Sequence, residues 1–141
     1  IVKLTPNVTD IAVTARAAEA GGADAVSCIN TLVGMAIDVS AKRAVLPAKT
    51  GGLSGPAVRP VGVAMTWRVK RAVSIPVIGI GGIMCAEDAL QYLLAGASAV
   101  QIGTANFVDP SVAAKVREGI EEFCRREGVE RVSDIHRLLQ E

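Results

Sequence analysis

Two glycine-centred turns are the strongest candidates for chemistry. Gly81-Gly82 follows the apolar run Val77–Ile80 and precedes a helical pattern containing Glu87 and Asp88. Gly103-Thr104 closes the next apolar run in the same manner and adds a hydroxyl donor. Glycine lets backbone N–H groups approach an anion closely, and a following helix N-terminus adds a favourable dipole. The arrangement suits a phosphate. A plainer reading stays open, in which each turn only needs a residue tolerant of positive φ. The run Gly79-Ile80-Gly81-Gly82 is not G-x-G-x-x-G, and the chain holds no dinucleotide fingerprint or Walker motif.

The remaining candidates are fewer. Lys3 is the only charge in the first apolar run, flanked by Val2 and Leu4. It is either a lysine whose stem lies along a strand end or a cation placed to steady developing negative charge. Asn30-Thr31 ends the second apolar run with an amide and a hydroxyl, which serve a ligand or a turn equally well. The loop Thr50-Gly51-Gly52-Leu53-Ser54-Gly55-Pro56-Ala57 leads into a helix, with Pro56 near its first turn. His136, the only histidine, sits in a polar C-terminal segment and reads as exposed and uninvolved. Cys28 reads as a small core residue and Cys124 as part of an amphipathic helix. No Ser/His/Asp set and no metal-ligand cluster is visible.

The elements that must position these residues alternate. Strand-like runs at Ile1–Leu4, Ala25–Ile29, Pro76–Ile80 and Ala99–Ile102 are each followed by turn residues and a helical pattern. The helices fall near Thr9–Ala20, Ala57–Ala72, Ala86–Leu94 and Pro110–Arg126, with a short last one starting at Ser133 as N-cap. Gly21-Gly22, Gly96 and Gly128 stand where helix C-caps belong. Apolar strands alternating with helices imply a parallel sheet covered by helices, an α/β fold. A G-A-x-A-V pattern recurs at Gly22–Val26 and Gly96–Val100, at the same helix-to-strand junction. Two of the units are minimal βα repeats, whereas the middle one carries a loop insertion of about 30 residues, roughly 30–60. Within it, Ala36–Leu46 is a candidate hairpin. Four βα units make half of a (β/α)8 TIM-type barrel, and glycine turns after the last two strands match the usual phosphate site of such barrels. A doubly wound open sheet is the alternative.

Composition narrows the function classes. Of 141 residues, 50% are hydrophobic and 3% aromatic, so Ala, Val, Ile and Leu build one core. The length suffices for one domain but not two; with the barrel reading, residues 1–141 are expected to be the C-terminal half of one such domain. Lys+Arg number 15 against 14 Asp+Glu, a balance that argues against nucleic-acid or membrane-surface binding. The uncharged stretches Ala72–Ala86 and Ala89–Val108 are interrupted by glycines and polar residues and do not read as membrane spans. Three dispersed cysteines read as free thiols in a reducing, cytoplasmic setting. The chain opens on Ile1 inside what reads as a strand, so a piece of a longer protein is expected.

Five ordered motifs then carry a resemblance over nearly the whole chain. They are Val2-Lys3-Leu4-Thr5-Pro6-Asn7, Ile29-Asn30-Thr31 with Gly34-Met35-Ala36-Ile37-Asp38, Thr50–Ala57, Ile78–Ile83, and Gly103-Thr104-Ala105-Asn106-Phe107. Together they resemble the C-terminal half of the catalytic subunit of dihydroorotate dehydrogenases, closest to the NAD-linked, two-subunit branch. Dihydropyrimidine dehydrogenase shares the architecture, but the G-M-A-I-D and T-G-G-L-S-G-P-A runs favour the dihydroorotate enzyme. The resemblance implies an FMN flavoprotein that oxidises (S)-dihydroorotate to orotate in pyrimidine biosynthesis. It implies that Lys3 contacts the flavin ring, Ile29 and Gly55 line it, and Gly81, Gly82, Gly103 and Thr104 hold its phosphate. It implies that Asn30 and Thr31 hydrogen-bond the pyrimidine. The family's cysteine base is expected upstream of Ile1, so no catalytic residue is assigned within the chain. Expected partners are the N-terminal barrel half, an electron-transfer subunit with FAD and an iron–sulfur cluster, and a second copy of the protein. The 141 residues alone are expected to be inactive. The rival is a non-catalytic half-barrel module that binds a phosphate or flavin. Cys85 departs from the pattern, since a polar residue would cap the following helix better.

Overall fold

The computed structural model describes residues 1–140. Its centre is a parallel sheet of four short strands: β1 (Val2–Leu4), β2 (Val26–Cys28), β7 (Val77–Ile80) and β8 (Ala99–Gln101). Between β2 and β7 lie β3 (Leu32–Gly34), β4 (Ile37–Asp38), β5 (Arg43–Ala44) and β6 (Gly51–Leu53). The helices are α1 (Ile11–Ala20), α2 (Arg59–Lys70), α3 (Ala86–Leu94), α4 (Ala105–Val108) and α5 (Val112–Glu127). Single 3-10 segments occupy Pro56–Val58 and Val132–Leu138.

The strands lie side by side in chain order, β1-β2-β7-β8, with every pairing parallel. A doubly wound sheet reverses its order at a switch point, and this one does not. It is a mixed α/β fold whose sheet is consistent with part of a (β/α)8 barrel. Register explains which side chains go where. Leu4, Cys28, Gly79 and Val100 form one row across the sheet, and the first three are buried. Period-2 alternation puts Lys3, Ser27, Ile78 and Ala99 on the opposite face. Helices cover only the Leu4 side, α1 packing on α2, α2 on α3 and α3 on α5. One core cluster joins Leu4, Ile11, Val26, Val69 and Val77. The other joins Tyr92, Leu93, Val116, Ile120 and Ile135.

Several boundaries differ from the sequence reading. Helix α1 begins at Ile11, not Thr9, because the Asp10 carboxylate accepts the Ala12 N–H at 2.9 Å and so caps it. The helix expected over Ala57–Ala72 divides, since Pro56 at its first position favours a tight 3-10 turn before α2 begins at Arg59. Asp109 accepts both the backbone N–H and the hydroxyl of Ser111, which orders the turn into α5 and delays that helix to Val112. Ser133 is no N-cap. It lies inside the 3-10 segment, which has no side-chain cap. The 30–60 insertion contains the anticipated hairpin as β4–β5, but also an unanticipated ladder of β3 against β6. Glycine makes that ladder possible: a Cβ on Gly52 would stand 2.2 Å from the Thr31 hydroxyl oxygen. Gly22, Gly96 and Gly128 do end α1, α3 and α5 at positive φ. No helix among the described residues is long and apolar enough to cross a membrane.

Candidate functional site

The C-terminal ends of the four parallel strands surround a cleft of about 170 Å³. Lys3, Ile29, Asn30, Thr31, Gly55, Gly81, Gly82, Gly103 and Thr104 all line it. These are the nine residues singled out from the sequence, drawn from segments up to a hundred positions apart. Ser54, Met84 and Gln101 also line it and were not singled out individually.

Lys3 reaches the cleft from the helix-free face of β1, and it is the only charged side chain in the lining. Asn30 follows β2, its backbone N–H donating to the Leu4 carbonyl at 2.9 Å, while its exposed amide makes no hydrogen bond to a described residue. The position of Thr31 depends on Asn7, a residue whose role sequence reasoning missed. Asn7 Nδ2 donates to the Thr31 carbonyl at 3.0 Å and Oδ1 accepts the Val33 N–H at 2.9 Å. One side-chain amide therefore ties the loop after β1 to the exit of β2. The only signal was a polar Thr-Pro-Asn run directly after an apolar strand.

The glycine loops form the opposite wall. Gly81 and Gly82 have φ of 137° and 68°, values that L side chains rarely adopt. A Cβ on Gly82 would stand 2.5 Å from the Gly55 carbonyl oxygen, so the loops before α2 and before α3 pack backbone to backbone. Gly103 is different. Its φ is not positive, and a Cβ there would meet nothing within 4 Å. Neither the backbone nor any neighbour requires glycine at 103. The backbone N–H groups of Gly82, Gly103 and Thr104 donate to no group among the described residues. The Thr104 and Ser54 hydroxyls stand 3.5 Å apart across the cleft mouth.

The expected help from a helix N-terminus is not seen at Gly81-Gly82. The first turn of α3 carries its own Asp88, which is 5% exposed and reaches back to accept the Met84 N–H, just ahead of the helix, at 2.9 Å. A carboxylate fixed at that terminus offsets the dipole that would favour an external anion. Arg59, at the start of α2, pairs with the other Asp88 oxygen, so the buried charge is compensated. What faces the cleft is loop backbone, Lys3 and the uncharged polar residues Asn30, Thr31, Ser54, Gln101 and Thr104.

No carboxylate, imidazole or thiol lines the cleft. Cys28 is buried beneath the sheet, and burial pushes its thiol up to about 12. Cys124 is half-buried in α5, and Cys85 is the exposed N-cap of α3, without a side-chain cap bond. At neutral pH iodoacetamide should therefore label Cys85 first and leave Cys28 untouched until the protein is denatured, as mass spectrometry of digests will show. Labelling of Cys28 in the native protein would contradict this burial. His136 is exposed, as read from the sequence. Among the described residues, no three His, Cys, Asp or Glu side chains group to hold a metal.

Comparison with known proteins agrees with the geometry. The family model described as Dihydroorotate dehydrogenase matches residues 1–124. The chain is 61% identical over 140 residues to the "Dihydroorotate dehydrogenase B (NAD(+)), catalytic subunit" of Bacteroides fragilis, covering 99% of this chain and 46% of that protein. Proteins of the same name from Phocaeicola vulgatus and Trichlorobacter lovleyi are 59% and 58% identical over the same shares. The chain thus spans a little under half the length of the curated relatives it matches.

Proposed function

The chain belongs to the dihydroorotate dehydrogenase family, and from that premise we propose that it supplies the flavin-phosphate and pyrimidine-binding part of an FMN-dependent enzyme oxidising (S)-dihydroorotate to orotate. The observation that carries this reading is the convergence of nine anticipated residues on one cleft whose single charge is a lysine.

The residues present suit FMN. Gly103 and Gly55 line the cleft with no side chain, and a Cβ at either would occupy open space, so a ligand's close approach accounts for glycine at 103 where the fold does not. The free N–H groups of Gly82, Gly103 and Thr104 are the donors a phosphate needs. When bound, FMN supplies the acceptor for the hydride that leaves the substrate. Lys3 would contribute a positive charge beside the ring, Ile29 and Gly55 would line it, and Asn30 and Thr31 would orient the pyrimidine through amide and hydroxyl. The accompanying proton needs a base, and the cleft lining holds no thiol, imidazole or carboxylate to take it. We place that base, a cysteine by family pattern, in the part of the relatives' length that this chain does not span.

The same division explains the size of the cleft. Ligand pockets usually measure about 300–1,000 Å³, and this one offers about 170 Å³. The missing walls belong, in this reading, to the other half of a closed (β/α)8 barrel, pairing with the edge strands β1 and β8. On this reading the 141 residues alone are inactive. The relatives' designation as a catalytic subunit points to a separate electron-transfer subunit, which we take to carry FAD and an iron–sulfur cluster and to pass electrons to NAD. Free thiols fit a reducing, cytoplasmic compartment, and we take the full-length protein to be a homo-oligomer. The test is whether dihydroorotate reduces the bound flavin of the full-length protein.

A further inference from the structure

Tyr92 is the largest fully buried side chain among the described residues, at 0% exposure. Two backbones give up side chains to admit it. A Cβ on Gly62 of α2 would stand 2.1 Å from the tyrosine hydroxyl, and one on Gly79 of β7 would stand 2.5 Å from its ring. Burying a phenol this completely costs free energy unless the hydroxyl is bonded. Its partner is specific: the hydroxyl donates to the Gly81 carbonyl at 2.6 Å. That carbonyl belongs to the turn that lines the cleft.

The consequence follows from peptide planarity. The Gly81–Gly82 peptide is trans, so its C=O and N–H point in opposite directions. Holding the carbonyl down toward Tyr92 turns the Gly82 N–H away from the core, and that N–H has no acceptor among the described residues. Gly81 itself sits at φ 137°, a region glycine enters without the steric cost other residues meet. The hydroxyl therefore favours one of the two orientations this peptide could take. We propose that Tyr92 is a positioning residue for the phosphate of the bound flavin, acting from beneath the loop by fixing the Gly82 N–H toward the cleft. This rests on the proposed reading of the cleft as an FMN site and adds a residue that never touches the ligand.

The experiment compares two ligands that differ only in the phosphate. Full-length protein freed of flavin is titrated with FMN and with riboflavin, following flavin fluorescence, for wild type and Tyr92→Phe. The variant keeps the ring in its slot and removes only the oxygen, so it should fold. FMN affinity should fall about tenfold, the scale of one hydrogen bond to a charged acceptor, while riboflavin affinity stays the same. Unchanged FMN affinity would overturn the proposal. So would an equal fall for both ligands, which marks a merely structural role. A wild type that does not prefer FMN over riboflavin would instead overturn the phosphate reading of the cleft, and this inference with it.

Discussion

Replacing Gly103 by valine should strip FMN from the full-length protein while leaving the thermal stability of the flavin-free protein almost unchanged. The two halves of that expectation have separate causes. Nothing lies within 4 Å of a Cβ at this position, and its φ is one any residue adopts, so the folded chain has room for the new side chain. Substitutions of this kind normally change stability by less than about 0.5 kcal/mol. In the proposed reading the added methyls would stand in the cleft that Gly103 lines and would keep the phosphate from the Gly103 and Thr104 N–H groups. Two hydrogen bonds to a charged acceptor are worth about 3 kcal/mol or more, so affinity should drop at least about 100-fold. Gly82→Val is the less informative variant. Its Cβ would overlap the Gly55 carbonyl and its φ is 68°, so it would damage the loop as well as the ligand site. Flavin absorbance of purified protein, and melting curves of wild type and variant both freed of flavin, decide the matter for Gly103. Full flavin content in Gly103→Val would remove the phosphate from this cleft.

Lys3→Ala carries the second large effect. Lys3 is the only charge in the cleft lining and makes no ion pair with a described residue, so its charge is available to a ligand. A charge-assisted contact is worth about 1.5–3 kcal/mol, and at about 1.4 kcal/mol per decade that amounts to roughly 10- to 150-fold in rate. Stopped-flow measurement at saturating dihydroorotate should show flavin reduction slowed by this factor, with orotate binding far less affected. An unchanged rate would leave Lys3 as a strand-end lysine with its head in solvent.

Much of this site was legible in the sequence because it is made of local signals. Apolar runs ending in glycine or in Asn-Thr mark strand ends, and parallel strands in chain order bring all such ends to one side of the sheet. That is why Asn30, Gly81 and Gly103 meet although no short spacing links them. What escaped depends on partners distant in sequence. Asp88 looks like an ordinary acidic residue of a helix first turn, reaching back to the nearby Met84 N–H, and only the fold brings Arg59 to it from 29 positions away. Asn7 reads as loop, since its clamp on Thr31 and Val33 spans more than twenty positions. The β3–β6 ladder was hidden because Gly51-Gly52-Leu53 has no strand-like alternation and is held by close packing on Thr31 and Leu46. Helix α4 is a single turn, set in place by the Asn106 amide donating to the Ile102 and Gly103 carbonyls, below the length that periodicity detects.

The central claim is that this cleft holds the flavin of a dihydroorotate dehydrogenase, and one anaerobic titration reaches it most directly. The protein expressed from its full-length gene is purified with its flavin, freed of oxygen and mixed with (S)-dihydroorotate while the visible flavin absorbance is followed. The account predicts that the band bleaches in a single turnover, with one orotate formed per flavin reduced. A flavin band that survives excess dihydroorotate, in protein that melts as a folded species, would contradict it.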